Sequence, residues 1–209
     1  MPVSVILPSR TFSEGVRAVR RLPAGADEVV LVTNPVGVPG VHPGHLRNRG
    51  AARAGGDVLV FVDDDVRLRG DLGWFQGRPG SETAWSASSW VDVSPGGRSA
   101  VVCWAMTAMG GLGMAGGFMV GAFQPIRRSV FERLGGYRTR GMYSEDQDLG
   151  ARYQRLGLRP AVGPFRVECL KPLALPGEVL GRAAQWWRFP AVEPEVRVFR
   201  PSAGRGGGV

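Results

Sequence analysis

The chain has 209 residues, which is enough to bury a substantial core and is most often one domain. Hydrophobic residues make up 44% and charged residues 21% of it, the content of an ordinary globular protein. The net charge is +8 and Lys171 is the only lysine among 26 basic residues, so anionic partners are favoured, because Arg binds phosphate through a planar, permanently charged fork.

The first third of the chain alternates between apolar strands and helices. The strands are predicted at residues 3–7, ended by Pro8, at 29–32 and at 58–62; the helices are predicted after a cap at Ser13 and at residues 45–54. Unbroken apolar strands are typical of a parallel sheet that is covered on both faces. The order strand, helix, strand, helix, strand indicates a doubly wound, nucleotide-binding α/β domain.

The first strand is not followed by a glycine-rich phosphate loop. This argues against both a dinucleotide-binding fingerprint and a P-loop, because each needs backbone amides that converge on phosphate at the first strand-to-helix turn. Phosphate would instead have to be held by a metal ion and by Arg side chains.

Three consecutive aspartates, Asp63, Asp64 and Asp65, directly follow the apolar run 58–62. Ligands of open α/β sheets bind in the crevice outside the carboxyl ends of the strands, where these aspartates would lie. Three adjacent negative charges repel one another, so a cation is expected to compensate them. Carboxylates at alternate positions are hard oxygen ligands suited to Mg²⁺ or Mn²⁺, with water and substrate phosphate completing the shell. The alternative is a turn or a helix cap, because Asp favours both, and the triplet alone does not separate the two.

The middle of the chain is predicted to contain strands at residues 83–93 and 98–107, separated by the turn signal Ser-Pro-Gly-Gly at 94–97. Residues 100–126 carry no charge over a length that could span a bilayer. The run is crowded with Gly and has a Pro near its end, so a buried strand with a glycine-rich loop is favoured over a transmembrane helix.

A second acidic cluster opens a helix later in the chain. Residues 144–147 (Ser-Glu-Asp-Gln) have the form of a capping box. Helical spacing lets Glu145 and Asp146 point inward at the helix start, whereas Asp148 is directed elsewhere and can pair with Arg152. The structural alternative is that acidic residues favour helix N-termini, where the dipole and the free amides stabilise them.

Four blocks of the chain, in order, resemble family 2 glycosyltransferases of the GT-A fold. They are residues 3–8 (VSVILP), 46–65 (LRNRGAARAGGDVLVFVDDD), 128–137 (RSVFERLGGY) and 144–152 (SEDQDLGAR). The resemblance implies a single α/β domain with a mostly parallel central sheet flanked by helices. It would cover residues 1–193, with a nucleotide-binding half at 1–100 and an acceptor or catalytic half at 101–193. A Pro/Gly-rich tail at 194–209 would follow, its last residues disordered.

The resemblance also implies an inverting transferase that depends on a nucleotide sugar and on Mn²⁺ or Mg²⁺. In the family's Asp-any-Asp motif, Asp65 would ligate the metal, Asp63 would approach the ribose or the metal's water shell, and Asp64 takes the variable middle position. Glu145 and Asp146 match the family's catalytic acidic pair, with Asp146 at the position of the base. The expected donor is a UDP- or GDP-sugar, and the expected acceptor is a saccharide or a lipid-linked phosphate.

Each residue type has a chemical reason in such a reaction. A divalent ion at Asp65 would stabilise, as a Lewis acid, the charge that builds on the diphosphate leaving group. A carboxylate on the opposite face of the sugar can take the proton of the acceptor hydroxyl as that oxygen attacks. One displacement then inverts the anomeric centre.

Further donor-binding residues are expected around the cleft, namely Pro8, Arg10, Asn34, Arg47 and Arg49. The three arginines would hold the diphosphate or an anionic acceptor. Asn34 stands where many relatives carry an acid that binds the nucleobase, so the identity of the nucleobase is left open. Many relatives also supply a late metal-binding His, whereas His42 and His45 both precede the aspartates and are expected to lie on the surface or to brace a loop.

Two other classes compete with the transferase. A non-catalytic nucleotide- or nucleic-acid-binding protein would fit the pI of about 10.8, but aromatic residues interleaved with basic ones occur only at residues 186–189. A metal-dependent phosphohydrolase or nucleotidyltransferase would share the aspartates but leave Glu145 and Asp146 without a role. The sequence therefore predicts a glycosyltransferase without a nucleic-acid partner.

A cytoplasmic location is expected, because the N-terminus lacks the features of a signal peptide and the two cysteines have no spacing typical of a zinc site or a redox pair. Trp186 and Trp187 lie beside Arg188, so a peripheral membrane contact is an alternative. Such aromatics more often complete a core or cover an acceptor groove.

Overall fold

The protein is described here by a computed structural model that covers residues 1–34, 41–77, 83–93, 121–139, 145–158, 160–171 and 193–200. The strands are β1 (Val3–Ser9), β2 (Glu28–Thr33), β3 (Val58–Val62), β4 (Val66–Arg69), β5 (Trp85–Asp92), β6 (Phe123–Arg127), β7 (Ala161–Cys169) and β8 (Glu195–Phe199). The helices are α1 (Phe12–Val19), α2 (Pro43–Arg53), α3 (Arg128–Arg133) and α4 (Glu145–Arg155), with a 3-10 turn at Leu72–Phe75. The strand predicted at 98–107, most of the uncharged run 100–126, the capping residue Ser144 and the pair Trp186 and Trp187 lie outside the described residues.

The main sheet has the strand order β6-β3-β1-β2-β8. Strand β1 lies parallel to β2 and β3, whereas β6 and β8 run antiparallel at the two edges. Every residue of the three parallel strands is buried, as their mostly apolar sequences predict for strands covered on both faces. The predicted α/β fold is confirmed, with a sheet that is parallel in its centre and antiparallel at both edges.

Residues 195–199 are not part of a tail, contrary to the boundary predicted at residue 193. They form β8, which pairs with β2 from Val29 opposite Phe199 to Thr33 opposite Glu195. The strand is exposed along most of its length and has no apolar run. Pro194 and Pro201 flank it in the sequence, so its sequence resembles that of a tail. The domain therefore extends at least to Phe199, and residues 201–209 lie outside the described part.

A second sheet of three strands, ordered β4-β7-β5, covers one face of the main sheet. Its inner side chains join those of β1 and β3 in one apolar cluster that includes Phe75, Trp85 and Phe165. The rings of Phe75 and Phe165 stack with centroids 5.0 Å apart. Because β4 begins directly after the aspartates and pairs antiparallel with β7, the end of β7 returns to the same place.

Helices α2, α3 and α4 cover the opposite face. Phe61 of β3 meets Phe131 of α3 and Tyr137 at ring-centroid distances of 5.1 Å each, and Leu149 and Tyr153 of α4 complete the cluster. This packing brings α2 and the first turn of α4 to the carboxyl edge of the parallel strands. No helix in the described ranges is long and apolar enough to cross a membrane.

Two helix starts differ from the prediction. Helix α1 is capped by Thr11 and not by Ser13, because the Thr11 hydroxyl accepts a hydrogen bond from the Glu14 amide at 3.3 Å. Helix α2 begins at Pro43, two residues earlier than predicted, with His42 Nδ1 accepting from the Gly44 amide at 3.1 Å. His42 is buried and braces the loop, as expected for one of the two alternatives.

A buried carboxylate, that of Glu28, lies at the amino end of the parallel strands, opposite the aspartates. Oε1 of Glu28 accepts hydrogen bonds from the Gly55 amide and, at 2.6 Å, from the Ser4 hydroxyl, while Arg200 lies 3.5 Å from Oε2. Burial alone would raise the pKa of Glu28, but the hydrogen bonds from Gly55 and Ser4 and the charge of Arg200 outweigh it and lower the pKa below its ordinary value. The ionised form is therefore stabilised in the folded protein.

We expect Glu28→Gln to lower the free energy of unfolding at pH 7 by about 1–3 kcal/mol, because buried donors lose an ionised acceptor. A lowered folded-state pKa contributes stability that is complete above the unfolded value of about 4.3 and is lost as the pH falls through the folded value. Urea unfolding between pH 3 and pH 7 should thus show a shallower acid loss in the variant. Glu132→Gln, on the exposed face of α3, is the control, and identical acid slopes in wild type and Glu28→Gln would contradict the assignment.

Candidate active site

The three aspartates lie at the carboxyl end of β3, at the edge where the parallel strands β1, β2 and β3 end, as predicted. The Asp63 amide donates to the carbonyl of Ala122 at 3.2 Å, next to β6, and the carbonyl of Asp65 accepts from the Leu170 amide at 2.8 Å. The turn is therefore held between the start of β6 and the end of β7. Each of the three side chains has a different set of partners.

Asp64, the middle residue, faces β1. Its Oδ2 accepts from the hydroxyl of Ser9 at 2.6 Å, and its carbonyl accepts from Arg21 Nη2 at 2.6 Å. The contact fits the turn-bracing alternative for this aspartate. Sequence reasoning missed Ser9 and Arg21, although the parallel pairing of β1 with β3 places the two strand ends side by side.

Asp65 is partly exposed and carries unbalanced negative charge. Burial, together with the negative charges of Asp63 and Asp64, raises the pKa of Asp65 to about 6, although the cation Lys171 opposes the shift. The Nζ atom of Lys171 lies 3.9 Å from Oδ2 of Asp65. A cation bound at Asp65 would favour the ionised form of this carboxylate and lower its pKa again.

Arg47 connects the two acidic clusters. It projects from α2 with 3% of its surface exposed; Nη1 donates to Glu145, and Nη2 donates to Oδ1 of Asp63 at 2.7 Å. Its guanidinium also lies 5.4 Å from the ring centre of Tyr137. Burial alone would lower the pKa of Arg47, but Asp63 and Glu145 raise it, so the side chain stays cationic. Both terminal nitrogens of this predicted diphosphate ligand are engaged by carboxylates.

Asp146 lies in the first turn of α4, next to Glu145. Its Oδ2 accepts from the Gly121 amide at 2.8 Å and its Oδ1 from the Gln147 amide at 2.9 Å. Burial raises the pKa of Asp146, Glu145 adds to this, and Arg47 and the two amides oppose it. The stabilisation of the charged form that is expected at a helix start is thus outweighed, and Asp146 is a stronger base than an ordinary Asp.

A polar clamp supports this arrangement. The side chain of Asn48 donates to the Tyr137 carbonyl at 2.8 Å and accepts from the Tyr137 amide at 2.9 Å. Gly136 precedes the clamp at φ +69, where a Cβ would lie 2.7 Å from Asn48 Oδ1. The clamp fixes the Tyr137 ring beside Arg47, a role for the Gly-Gly-Tyr block that sequence reasoning did not assign.

The remaining predicted donor-binding residues have different surroundings. Pro8 lies inside β1, which continues to Ser9 instead of ending, and it pairs with Val32 of β2. Arg10 is exposed. Asn34 follows β2, and its buried Oδ1 has no hydrogen-bond partner among the residues that are described. Arg49 is two residues from Arg47 on α2, hence on another side of the helix, and it pairs with Glu193 before β8. The structure therefore does not bring Arg49 to the aspartates.

The donor set is suited to a hard divalent cation. Asp63 and Asp65 offer carboxylate oxygens, and the pKa of Asp65 is raised by burial and by the negative charges of Asp63 and Asp64. Within the described ranges, no group of three or more His, Cys, Asp or Glu is arranged to hold a metal ion. These residues fit Mg²⁺ or Mn²⁺ bound through few protein ligands, with water and phosphate oxygens supplying the others.

No family model and no curated protein matches the sequence. Solved structures do match the fold. The chain is similar to the catalytic domain of Drosophila β1,4-galactosyltransferase 7 in complex with xylobiose, at 15% identity and a TM-score of 0.50 over 77% of this chain and 64% of that one. It is similar to the mannosyltransferase PcManGT from Pyrobaculum calidifontis in complex with GDP-Man and Mn²⁺, at 15% identity and a TM-score of 0.53 over 88% and 60%.

A third similar structure is residues 1–349 of S. aureus TarS, at 12% identity and a TM-score of 0.51 over 81% of this chain and 60% of that one. The chain thus spans less than two thirds of the length of all three. The fold of the protein is the GT-A fold, as the sequence blocks predict.

Proposed function

We propose that the protein is an inverting, metal-dependent glycosyltransferase that moves a sugar from a nucleotide diphosphate to an acceptor. The observation that carries the proposal is the meeting of two acidic clusters through Arg47, one at the end of β3 and one in the first turn of α4. The GT-A fold supports the class. Among the solved structures that share it, one holds GDP-Man with Mn²⁺ and another holds xylobiose.

The donor side is built from the ends of β1, β2 and β3. Asp65 and Asp63 would hold Mn²⁺ or Mg²⁺, which supplies a Lewis acid for the charge on the departing diphosphate. Ser9 holds the Asp64 side chain toward β1. The Oδ1 of Asn34 can accept a hydrogen bond from the nucleoside of a UDP- or GDP-sugar.

The acceptor side is built around Asp146. Its carboxylate takes the proton of an acceptor hydroxyl while that oxygen forms a bond to the anomeric carbon. The bond from that carbon to the diphosphate oxygen breaks at the same time, and its electron pair leaves with the nucleotide. Glu145 acts through its ion pair, holding the Arg47 guanidinium between the two clusters. A lipid-linked phosphate acceptor, already an anion, would need no base.

The placement of the donor side and the acceptor side supports a nucleotide-binding half at residues 1–100 and a catalytic half at 101–193, now extended by β8.

The proposed class of enzyme is tested by a thermal-shift screen of UDP-, GDP- and dTDP-sugars, each with Mn²⁺, Mg²⁺ or a chelator. A ligand at a hundredfold excess over its dissociation constant stabilises by about 2.7 kcal/mol. We expect a shift with one nucleotide and a metal; the absence of any metal-dependent shift across the screen would refute the proposal.

Asp65→Asn is expected to weaken metal-dependent binding of the matching nucleotide at least about tenfold, or 1.4 kcal/mol, because the amide keeps the size but loses the charge. Calorimetry with UDP or GDP, with and without Mn²⁺, measures the change. Asp71→Asn is the matched control, since Asp71 caps the 3-10 turn and Asn caps as well. Binding that persists with unchanged affinity in a chelator, in wild type and Asp65→Asn alike, would exclude the metal role.

A further inference from the structure

We propose that Lys171 is a second cation of the donor site, one that pairs with Asp65 while the site is empty and moves to the diphosphate when metal and nucleotide bind. This rests on the proposed function, and it adds a donor-binding residue from the far end of the chain. No sequence motif indicated Lys171, which is the only lysine of the chain.

The backbone places Lys171 beside the aspartates independently of its side chain. Strands β4 and β7 pair antiparallel with Val66 opposite Cys169, so the residues after Cys169 run alongside those before Val66. The Leu170 amide then donates to the Asp65 carbonyl at 2.8 Å. This hydrogen bond holds the backbone next to Lys171 at the turn of residues 63–65. The Nζ atom of Lys171 lies 3.9 Å from Asp65 Oδ2.

The two basic residues that pair with the aspartate carboxylates differ in how easily they can change partner. Arg47 is buried, and its guanidinium is held by Asp63 and Glu145. Lys171 and Asp65 are 55% and 38% exposed, and ion pairs of this kind contribute little to stability. An ammonium on a flexible four-carbon stem can also rotate to a new anion without disturbing the fold. Lys171 is therefore the cation that can follow an incoming ligand.

Charge balance provides the reason for the movement. In the free protein, Asp63 is balanced by Arg47, and Lys171 is the ammonium beside Asp65. A divalent ion at Asp65 competes with the ammonium for the same carboxylate and repels it at short range. A nucleoside diphosphate brings negative oxygens to the same place, where charge-assisted hydrogen bonds from the ammonium are favourable. Lys171 should thus lower the affinity of the protein for the metal ion alone. It should raise the affinity for a nucleoside diphosphate that binds together with the metal ion.

This dual role predicts effects of opposite sign in one variant. In Lys171→Met we expect Mn²⁺ alone to bind up to about fivefold more tightly, since a competing exposed cation is removed. In the same variant, UDP or GDP at saturating Mn²⁺ should bind about tenfold more weakly, because a charge-assisted contact to phosphate is lost. UMP or GMP should be affected less, and Lys171→Arg should keep most of the diphosphate affinity.

Calorimetry on the full chain measures both constants, and the melting temperature of each variant checks its folding. Arg166→Met is the matched control, since it removes one positive charge from β7, the strand that leads to Lys171, and Arg166 faces Glu168 and not the aspartates. Three results would each overturn the inference. Both affinities could be unchanged in Lys171→Met, both could be reduced together, or Arg166→Met could reproduce both shifts. A wild type that binds no nucleoside diphosphate with metal would instead overturn the proposed function, and the inference with it.

Discussion

Asp146→Asn is expected to lower turnover by about 10²-fold or more while leaving donor affinity nearly unchanged. The amide cannot accept the proton of the acceptor. Two backbone amides, of Gly121 and Gln147, point at the two oxygens of Asp146. An Asn side chain has one acceptor oxygen, so one of these amides loses its partner, at a cost of about 1–3 kcal/mol. A hundredfold loss of rate corresponds to about 2.7 kcal/mol, similar in size to this loss of stability, so turnover must be measured per folded molecule.

Asp148→Asn is the matched control in the same helix. Asp148 is buried and pairs with Arg152 at 2.7 Å and with Arg138 at 3.1 Å, so its substitution should lower stability and leave turnover per folded molecule intact. Transfer to a hydroxyl acceptor, or hydrolysis of the donor, measures the rate, and calorimetry measures donor binding. If rate and binding fall in step in Asp146→Asn, Asp146 is a structural residue; full activity toward a hydroxyl acceptor would exclude the base role.

The pH profile provides a second readout on Asp146. Because the base must be ionised, activity should be lost as the pH falls through its pKa, which burial and Glu145 raise above the ordinary value. The acid limb of kcat/KM should therefore lie above pH of about 4, the ordinary range of a carboxylate.

Arg47→Met is expected to lower the free energy of unfolding by about 3–5 kcal/mol, because it leaves Glu145 buried without a cation. Glu145 is only 5% exposed, so water cannot replace the guanidinium. Urea unfolding measures the loss. The double variant Arg47→Met/Glu145→Gln should recover part of it, since a neutral pair avoids the uncompensated charge.

Arg49→Met is the control for that experiment, because Arg49 lies on the same helix with 39% of its side chain exposed and pairs with Glu193. Its loss should cost less than about 1 kcal/mol. The comparison also separates two roles for Arg47. A variant that unfolds like Arg49→Met but loses affinity for the diphosphate would identify Arg47 as a donor ligand, as the sequence alone indicated.

The sequence by itself determined the centre of the fold. Strands β1, β2 and β3 are short and mostly apolar without alternation, a pattern that is typical of strands covered on both faces, so a parallel α/β sheet follows from local composition. The position of the aspartates follows as well, because residues directly after such a strand lie at its carboxyl edge. Glu145 and Asp146 at a helix start are likewise a local feature.

Only the tertiary structure decided which charges meet. Arg47 and Arg49 are equivalent in sequence, and the packing of α2 on the sheet decides which one reaches Asp63 and Glu145. Lys171 and Asp65 are brought together by the pairing of β4 with β7, and β8 is recognisable only through its partner β2. The reason is physical: strand and helix preferences act over a few neighbouring residues, whereas strand register and side-chain packing decide contacts between residues far apart in the chain.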